Sequence, residues 1–124
     1  QELGYLQQAA YCAKLIEQAT ETETPLPTVY DLLRGLLAHL PKQIPQPQTL
    51  FAFEIKLLHE LGLAPDLAEN KLTAGARQIA GAFSVGDWPA VARLKLSEGQ
   101  LQELRHFLHG FLIFHLGRIP RGRP

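Results

Sequence analysis

The sequence contains no methionine and only one cysteine, Cys12, among its 124 residues. A single cysteine excludes an internal disulfide and any zinc site that needs several thiolates. No apolar run approaches the ~18 residues that a membrane-spanning helix needs, and no basic, apolar leader opens the chain. Because the chain begins at Gln1 and lacks methionine, we expect it to be one domain of a longer protein.

The chain has no excess charge, since 12 basic residues balance 12 acidic ones, but the charges are unevenly spread. Residues 1–70 have a net charge of −5, residues 71–92 of +1 and residues 93–124 of +4. The basic C-terminal third favours a polyanionic or acidic partner, and a solvated basic tail without a ligand is the alternative. With 46% apolar and 19% charged residues, the composition is that of a folded domain.

Apolar residues at helical spacing predict an all-α fold, an antiparallel bundle of about four main helices with an irregular insert before the last one. The four predicted helices cover residues 2–20, 28–40, 48–61 and 97–116. The buried face predicted for the first helix consists of Leu3, Leu6, Ala10, Ala13 and Ile16.

Capping residues mark the ends of these helices. Ser97 and Gln100 have the spacing of a capping box at the start of the last helix, and Thr28 and Asp31 form a variant of that pattern. The glycines placed as left-handed caps beyond the third and the last helix are Gly62 and Gly117.

Glycines and Pro89 interrupt the insert, residues 63–96. We predict a short helix at 72–79 and an extended piece at 82–85. The last helix is apolar nearly all round in its C-terminal half, so we expect it to be central or to pack against a domain outside this chain. The residues predicted for that interface are Phe107, Phe111, Ile113 and Phe114.

No residue pattern predicts an enzyme, a metal or a cofactor. His106 and His109 have a spacing that suits a metal, but a third ligand is missing from their helix face. Cys12 has no neighbouring base and is interpreted as a buried core residue. Glu54 and Lys56 are interpreted as a solvated helix face. The sequence also lacks a phosphate-binding glycine loop, a serine nucleophile elbow and a paired-carboxylate signature.

The arginines after the last helix are the main candidates for ligand contact. Guanidinium forks match phosphate and carboxylate oxygens, and the prolines of the tail keep this coil open. The residues predicted to bind DNA or an acidic peptide are Arg93, Lys95, Arg118, Arg121 and Arg123, with Lys71 and Arg77 in the insert as second choices.

Two blocks in the middle of the chain resemble a known family. Residues 53–58 (FEIKLL) and 61–67 (LGLAPDL) are similar to the F-E-L-K-L-L…L-G-x-x-P-D-L stretch of the RecO family of recombination mediators. Residues 96–97 and 114–118 resemble the start and the end of that family's last helix. The resemblance implies a helical C-terminal domain whose N-terminal OB-fold barrel is not part of this chain.

The resemblance also implies a function. RecO-like proteins are non-catalytic and act in the bacterial cytoplasm at the nucleoid, where they bind single- and double-stranded DNA and anneal strands. They work with RecR to help RecA replace single-strand-binding protein (SSB), and they bind the acidic, aromatic C-terminal tail of SSB. The alternative is a structural or protein-interaction module that does not contact nucleic acid and docks through the apolar last helix.

The sequence departs from the family pattern in two places. Many members carry a zinc site whose first cysteine pair corresponds here to Asn70 and Thr73, and no later cysteine follows. We therefore expect packing, not zinc, to hold the insert. The family tail usually has Leu and Ser where this chain has Pro120 and Gly122.

Overall fold

The computed structural model describes residues 2–20, 27–42, 44–67 and 71–123. Within these residues the chain forms six α-helices and one 3-10 turn, with no strand, which confirms the all-α prediction. The helices are α1 (Glu2–Ala19), α2 (Pro27–His39), α3 (Pro47–Glu60), α4 (Ala74–Val85), α5 (Trp88–Arg93) and α6 (Glu98–Leu116), and the 3-10 turn is Leu40–Lys42. None of the helices in these segments is long and apolar enough to cross a bilayer.

Helix α3 is the centre of the fold and packs against all five other helices. Phe53 and Leu57 join a core cluster with α1 and α2, whereas Phe51 and Leu58 join a second cluster with α4, α5 and α6. Each fully buried side chain of this size contributes roughly 1.5–3 kcal/mol. Three half-buried residues pack against both clusters: Trp88, Leu116 and Ile119.

The buried face of α1 differs from the predicted one. Leu3 and Leu6 are exposed, at 69% and 51%, and the two predicted alanines are exposed as well. The helix is rotated relative to the prediction because Tyr11 and Cys12 pack into the core cluster that α1 and α2 share with α3. On the same face, the side-chain amide of Gln8 donates to the Gln46 carbonyl at 3.0 Å. The buried residues of α1 are Gln8, Tyr11, Cys12, Leu15 and Ile16.

Three of the predicted caps are confirmed. Gly62 has φ +75°, and the Leu63 amide donates to the Leu58 carbonyl at 2.8 Å, as in a Schellman motif. Ser97 and Gln100 form the predicted capping box of α6, and Gly117 has φ +84°.

The predicted cap of α2 is wrong. The helix begins at Pro27, so Thr28 lies inside its first turn, and the Asp31 carboxylate pairs with Arg34 on the surface. Proline suits the first helical position because its missing N–H would have no partner there.

The insert forms two helices, and the extended piece predicted at 82–85 is wrong. Ala76, Ala80 and Phe83 are fully buried at helical spacing against the central helix, so α4 continues through its glycines to Val85. Pro89 stands at the start of α5, where it is compatible with a helix.

Polar side chains hold the insert in place. Glu103 on α6 accepts hydrogen bonds from the Thr73 amide and hydroxyl at 2.6 and 2.8 Å. Lys56 donates to the Gly86 carbonyl at 2.6 Å and lies 5.5 Å from the ring centroid of Trp88. Lys56 is half-buried and its ammonium group is bonded to the backbone, so the interpretation of this residue as part of a solvated face is wrong. Burial also lowers the pKa of Lys56. The other zinc-site position, Asn70, lies outside the described residues.

Candidate anion-binding surfaces

The chain after α6 folds back onto the bundle, and we call residues 117–123 the strap. The Gln18 side-chain amide on α1 donates to the carbonyls of Leu116 and Arg118, which fixes the start of the strap. Ile119 packs against both core clusters. The far end is anchored by Arg123, so the strap is held along its length.

Arg123 ends in a buried ion pair with Glu54 of α3. Its Nε and NH2 groups donate to the two carboxylate oxygens at 2.8 and 2.9 Å, and the side chains are 7% and 0% exposed. The Tyr11 hydroxyl donates to the same carboxylate at 2.6 Å. Burial and the neighbouring carboxylate raise the pKa of Tyr11, which keeps this hydroxyl a neutral donor.

This pair corrects two expectations. Arg123 is not available to an external phosphate, because its guanidinium already satisfies a buried carboxylate. Glu54 does not lie on a solvated face. The sequence showed the charge of each residue, but not that residues separated by 69 positions meet in the fold.

Gly122 separates an exposed arginine from a buried one. Its φ of +99° lies in the region that side chains with a Cβ rarely adopt. The backbone turns at this residue, so that Arg121 is exposed while Arg123 points to the core. The resemblance places serine in the family tail at this position, and the glycine here is the residue suited to the observed turn.

Two adjoining grooves lie between α1 and the strap, and Lys14 lines both. One, of about 300 Å³, also contains Arg118 and a single acid, Glu17. The other, of about 360 Å³, contains Arg121. We call Lys14, Arg118 and Arg121 the α1–strap surface. Sequence analysis missed Lys14 because it belongs to the acidic front part of the chain and only folding brings it beside the tail.

A further groove, of about 350 Å³, follows α6 and is lined by Arg105 and two histidines of that helix, together with Arg123, whose charge is paired with Glu54. It adjoins an apolar groove of about 220 Å³, and His106 lines both. We call this pair of grooves the α6 surface. Among the described residues, no group of three His, Cys, Asp or Glu side chains is placed to hold a metal ion. The residues of the α6 surface are Lys71, Leu72, Gln102, Glu103, Arg105, His106, Phe107, His109 and Arg123.

The remaining predicted cations lie elsewhere. Arg93 and Lys95 are exposed at the end of α5 and in the linker to α6, and they line neither surface. The Arg77 guanidinium donates to the Leu72 carbonyl at 3.0 Å and thereby braces the start of α4. The structure therefore unites two of the predicted arginines with Lys14, places Lys71 and Arg123 on the α6 surface, and leaves Arg77, Arg93 and Lys95 apart from both surfaces.

The predicted apolar interface is divided. Phe107 and Phe111 are half-buried, with ring centroids 5.8 Å apart, and pack against the core cluster. Phe114 is 82% and Ile113 43% exposed. The ring of His115 lies edge-on to Phe114 at 5.0 Å. Within α6, the large apolar side chains that are exposed to solvent thus lie near its C-terminal end.

Comparison with known proteins identifies the family. The family model described as "Recombination protein O C terminal" matches residues 2–73, more than half of the chain. The chain belongs to the RecO family. The RecO match ends at Thr73, at the start of the insert helices, so that α4–α6 and the strap lie beyond it.

Two curated relatives carry the name "DNA repair protein RecO". The protein of Bacillus pumilus (strain SAFR-032) is 29% identical over 120 residues, which cover 90% of this chain and 46% of that protein. The protein of Myxococcus xanthus (strain DK1622) is 30% identical over 76 residues, 61% of this chain and 31% of that protein. The chain thus spans less than half the length of either RecO relative. The search of solved structures found no significant match.

Proposed function

We propose that this chain is the helical C-terminal domain of a recombination mediator and that it binds DNA phosphates through the α1–strap surface. The observation that carries this proposal is the convergence of Lys14, Arg118 and Arg121 on adjoining grooves. The module is non-catalytic and needs no cofactor. In the longer parent chain it works beside an N-terminal OB-fold barrel and with RecR in RecA loading, in the cytoplasm at the nucleoid.

Charge neutralisation gives this binding a measurable signature. Each phosphate contact releases condensed counterions, so the logarithm of the binding constant falls by about 0.7 per contact for each decade of salt with single strands. Three contacts give a slope of about 2, which corresponds to roughly an 18-fold loss of affinity between 50 and 200 mM salt.

The test is a salt titration with a labelled single strand and a labelled duplex. Replacing Arg118 and Arg121 by Gln should lower affinity and reduce the loss across the same salt range to roughly threefold for the single strand, because one contact remains. Arg93→Gln with Lys95→Gln is the control, since it removes the same charge away from the surface. No salt-sensitive binding, or equal weakening by both pairs, would contradict the proposal.

The α6 surface supports a second candidate, binding of the acidic, aromatic SSB tail. An apolar groove with Leu72 and Phe107 adjoins a groove that contains Arg105, and Lys71 lies at its edge. This combination suits a peptide that carries both carboxylates and an aromatic ring. With a labelled SSB-tail peptide, we expect Lys71→Gln with Arg105→Gln to weaken binding, while Arg118→Gln with Arg121→Gln leaves it unchanged. The opposite pattern would assign the peptide to the α1–strap surface.

Exposed Phe114 keeps the protein-interaction alternative open to test. If the chain serves only to dock the barrel or RecR, Phe114→Ser should abolish that association and the arginine variants should have no effect. Pull-down of RecR and of the separately expressed N-terminal region, compared with DNA titration of the same variants, decides between these functions.

A further inference from the structure

We propose that the Glu54–Arg123 pair, together with Tyr11, is a latch that positions the strap arginines for DNA, so that these three are positioning residues. The inference rests on the proposed function, because it concerns how the α1–strap surface is held. It goes beyond that function because it gives a buried carboxylate, whose negative charge would by itself repel DNA, a positioning role in DNA binding.

The latch is built as a complete buried polar site. One fully buried carboxylate accepts two hydrogen bonds from the guanidinium of Arg123 and one from the Tyr11 hydroxyl, all between 2.6 and 2.9 Å. A guanidinium matched to both oxygens has a fixed orientation, which a single contact would not impose. The Arg123 guanidinium also lies over the ring of Phe51, with its carbon 5.2 Å from the ring centroid.

The latch controls where the two exposed arginines can be. Arg121 lies two residues from the anchored Arg123, and the Arg118 carbonyl is held by Gln18. Arg118 and Arg121 therefore sit on a short segment that is fixed at both ends, and this segment lies beside Lys14 of helix α1. A ligand that meets three preplaced cations does not have to order the strap first, which strengthens binding.

Glu54→Gln should change DNA affinity in the direction opposite to the one that its charge change alone would give. Glu54→Gln raises the net charge of the chain by one, and electrostatics alone would then tighten binding to a polyanion. If the carboxylate positions the strap, the variant should bind DNA about fivefold more weakly. Glu60→Gln makes the same charge change on the same helix at a half-exposed residue, and it should leave binding equal or slightly tighter.

A second readout does not depend on DNA. Trypsin cleaves after Arg118 and Arg121, and a latched strap should resist it. In the 124-residue chain, Glu54→Gln and Arg123→Gln should speed cleavage at both sites, as followed by mass spectrometry, while Glu60→Gln and Arg93→Gln should not. Circular dichroism monitors folding. Tyr11→Phe removes one of the three contacts, so it replaces any variant that fails to fold and should show the same changes to a smaller degree.

The outcomes separate the latch from the proposed function. Faster cleavage together with weaker DNA binding supports the latch. Unchanged cleavage overturns it, whatever happens to DNA binding. Faster cleavage with unchanged or tighter DNA binding overturns the positioning role. DNA binding by the α1–strap surface is judged separately, by the salt titration of Arg118→Gln with Arg121→Gln.

Discussion

The buried ion pair should make Arg123→Leu far more destabilising than an arginine change on the surface. Glu54 sits in the middle of the central helix with no exposure, so it cannot move to water when its partner is lost. Removing one member of a buried pair typically costs about 3–5 kcal/mol. The charged carboxylate can escape by taking up a proton, and that limits the loss.

The protonation route gives the size of the effect. Holding a glutamic acid neutral costs about 3.7 kcal/mol at pH 7 and about 1 kcal/mol at pH 5. We therefore expect Arg123→Leu to lose about 3–4 kcal/mol of unfolding free energy at pH 7. The loss should fall to about 1–2 kcal/mol at pH 5, because protonating a carboxylate costs less free energy as the pH approaches its pKa in the unfolded chain.

Glu54→Leu should cost less than Arg123→Leu, because Arg123 lies near the chain end and can leave the core with the strap. The double variant should lose less than the sum of the two single losses, since a buried pair replaced by apolar groups leaves no unpaired charge. Urea unfolding at both pH values measures all four proteins, with Arg93→Leu as the surface control. A loss below about 1 kcal/mol for Arg123→Leu at pH 7, or one independent of pH, would refute the reasoning.

Three further predictions concern groups away from the strap. Burial, with the nearby Lys42, lowers the pKa of His39. The contribution of neutral His39 to folding stability is therefore complete above pH ~6.5 and is lost as pH falls through the lowered pKa. In urea unfolding, the wild type should lose more stability between pH 7 and 5 than His39→Gln, and an equal loss in the two proteins would contradict this. Burial raises the pKa of Cys12, so a thiol reagent should label it only in denaturant, and rapid native labelling would disprove its burial. Glu103→Ala removes both bonds to Thr73 and should cost about 0.5–1.5 kcal/mol with faster exchange of the Thr73 amide, whereas unchanged exchange would show that the bonds do not hold the insert.

The parts of the fold that were predictable are those specified by neighbouring residues. The capping box of α6 and the glycine after α3 depend on spacings of a few residues, and both are confirmed. The rotation of α1 was not predictable in this way, because small and large apolar residues occur on more than one of its faces. Packing against α3 selected the face that contains Tyr11 and Cys12 over the one that contains Leu3.

The insert shows the same limit. Glycines and Pro89 are poor helix residues taken one at a time, and this suggested an irregular segment. Burial of Phe83 and Val91 on the central helix outweighs that preference and yields α4 and α5. Thr73 stands where the resemblance places a zinc cysteine. It caps α4 and donates hydrogen bonds to Glu103, so hydrogen bonds join the start of α4 to α6.

Folding also redistributes the charge that the sequence places in the C-terminal third. Arg123 is neutralised by the carboxylate of Glu54, which belongs to the acidic front part, while Lys14 of that same part lies beside the strap. The resulting surface carries three cations, fewer than the roughly six to ten phosphate contacts that cost a protein about 10³–10⁵ in DNA affinity between 50 and 200 mM salt. With three contacts, binding by this domain should be moderate in affinity, and its loss with added salt should be shallower than that of a protein with six to ten contacts.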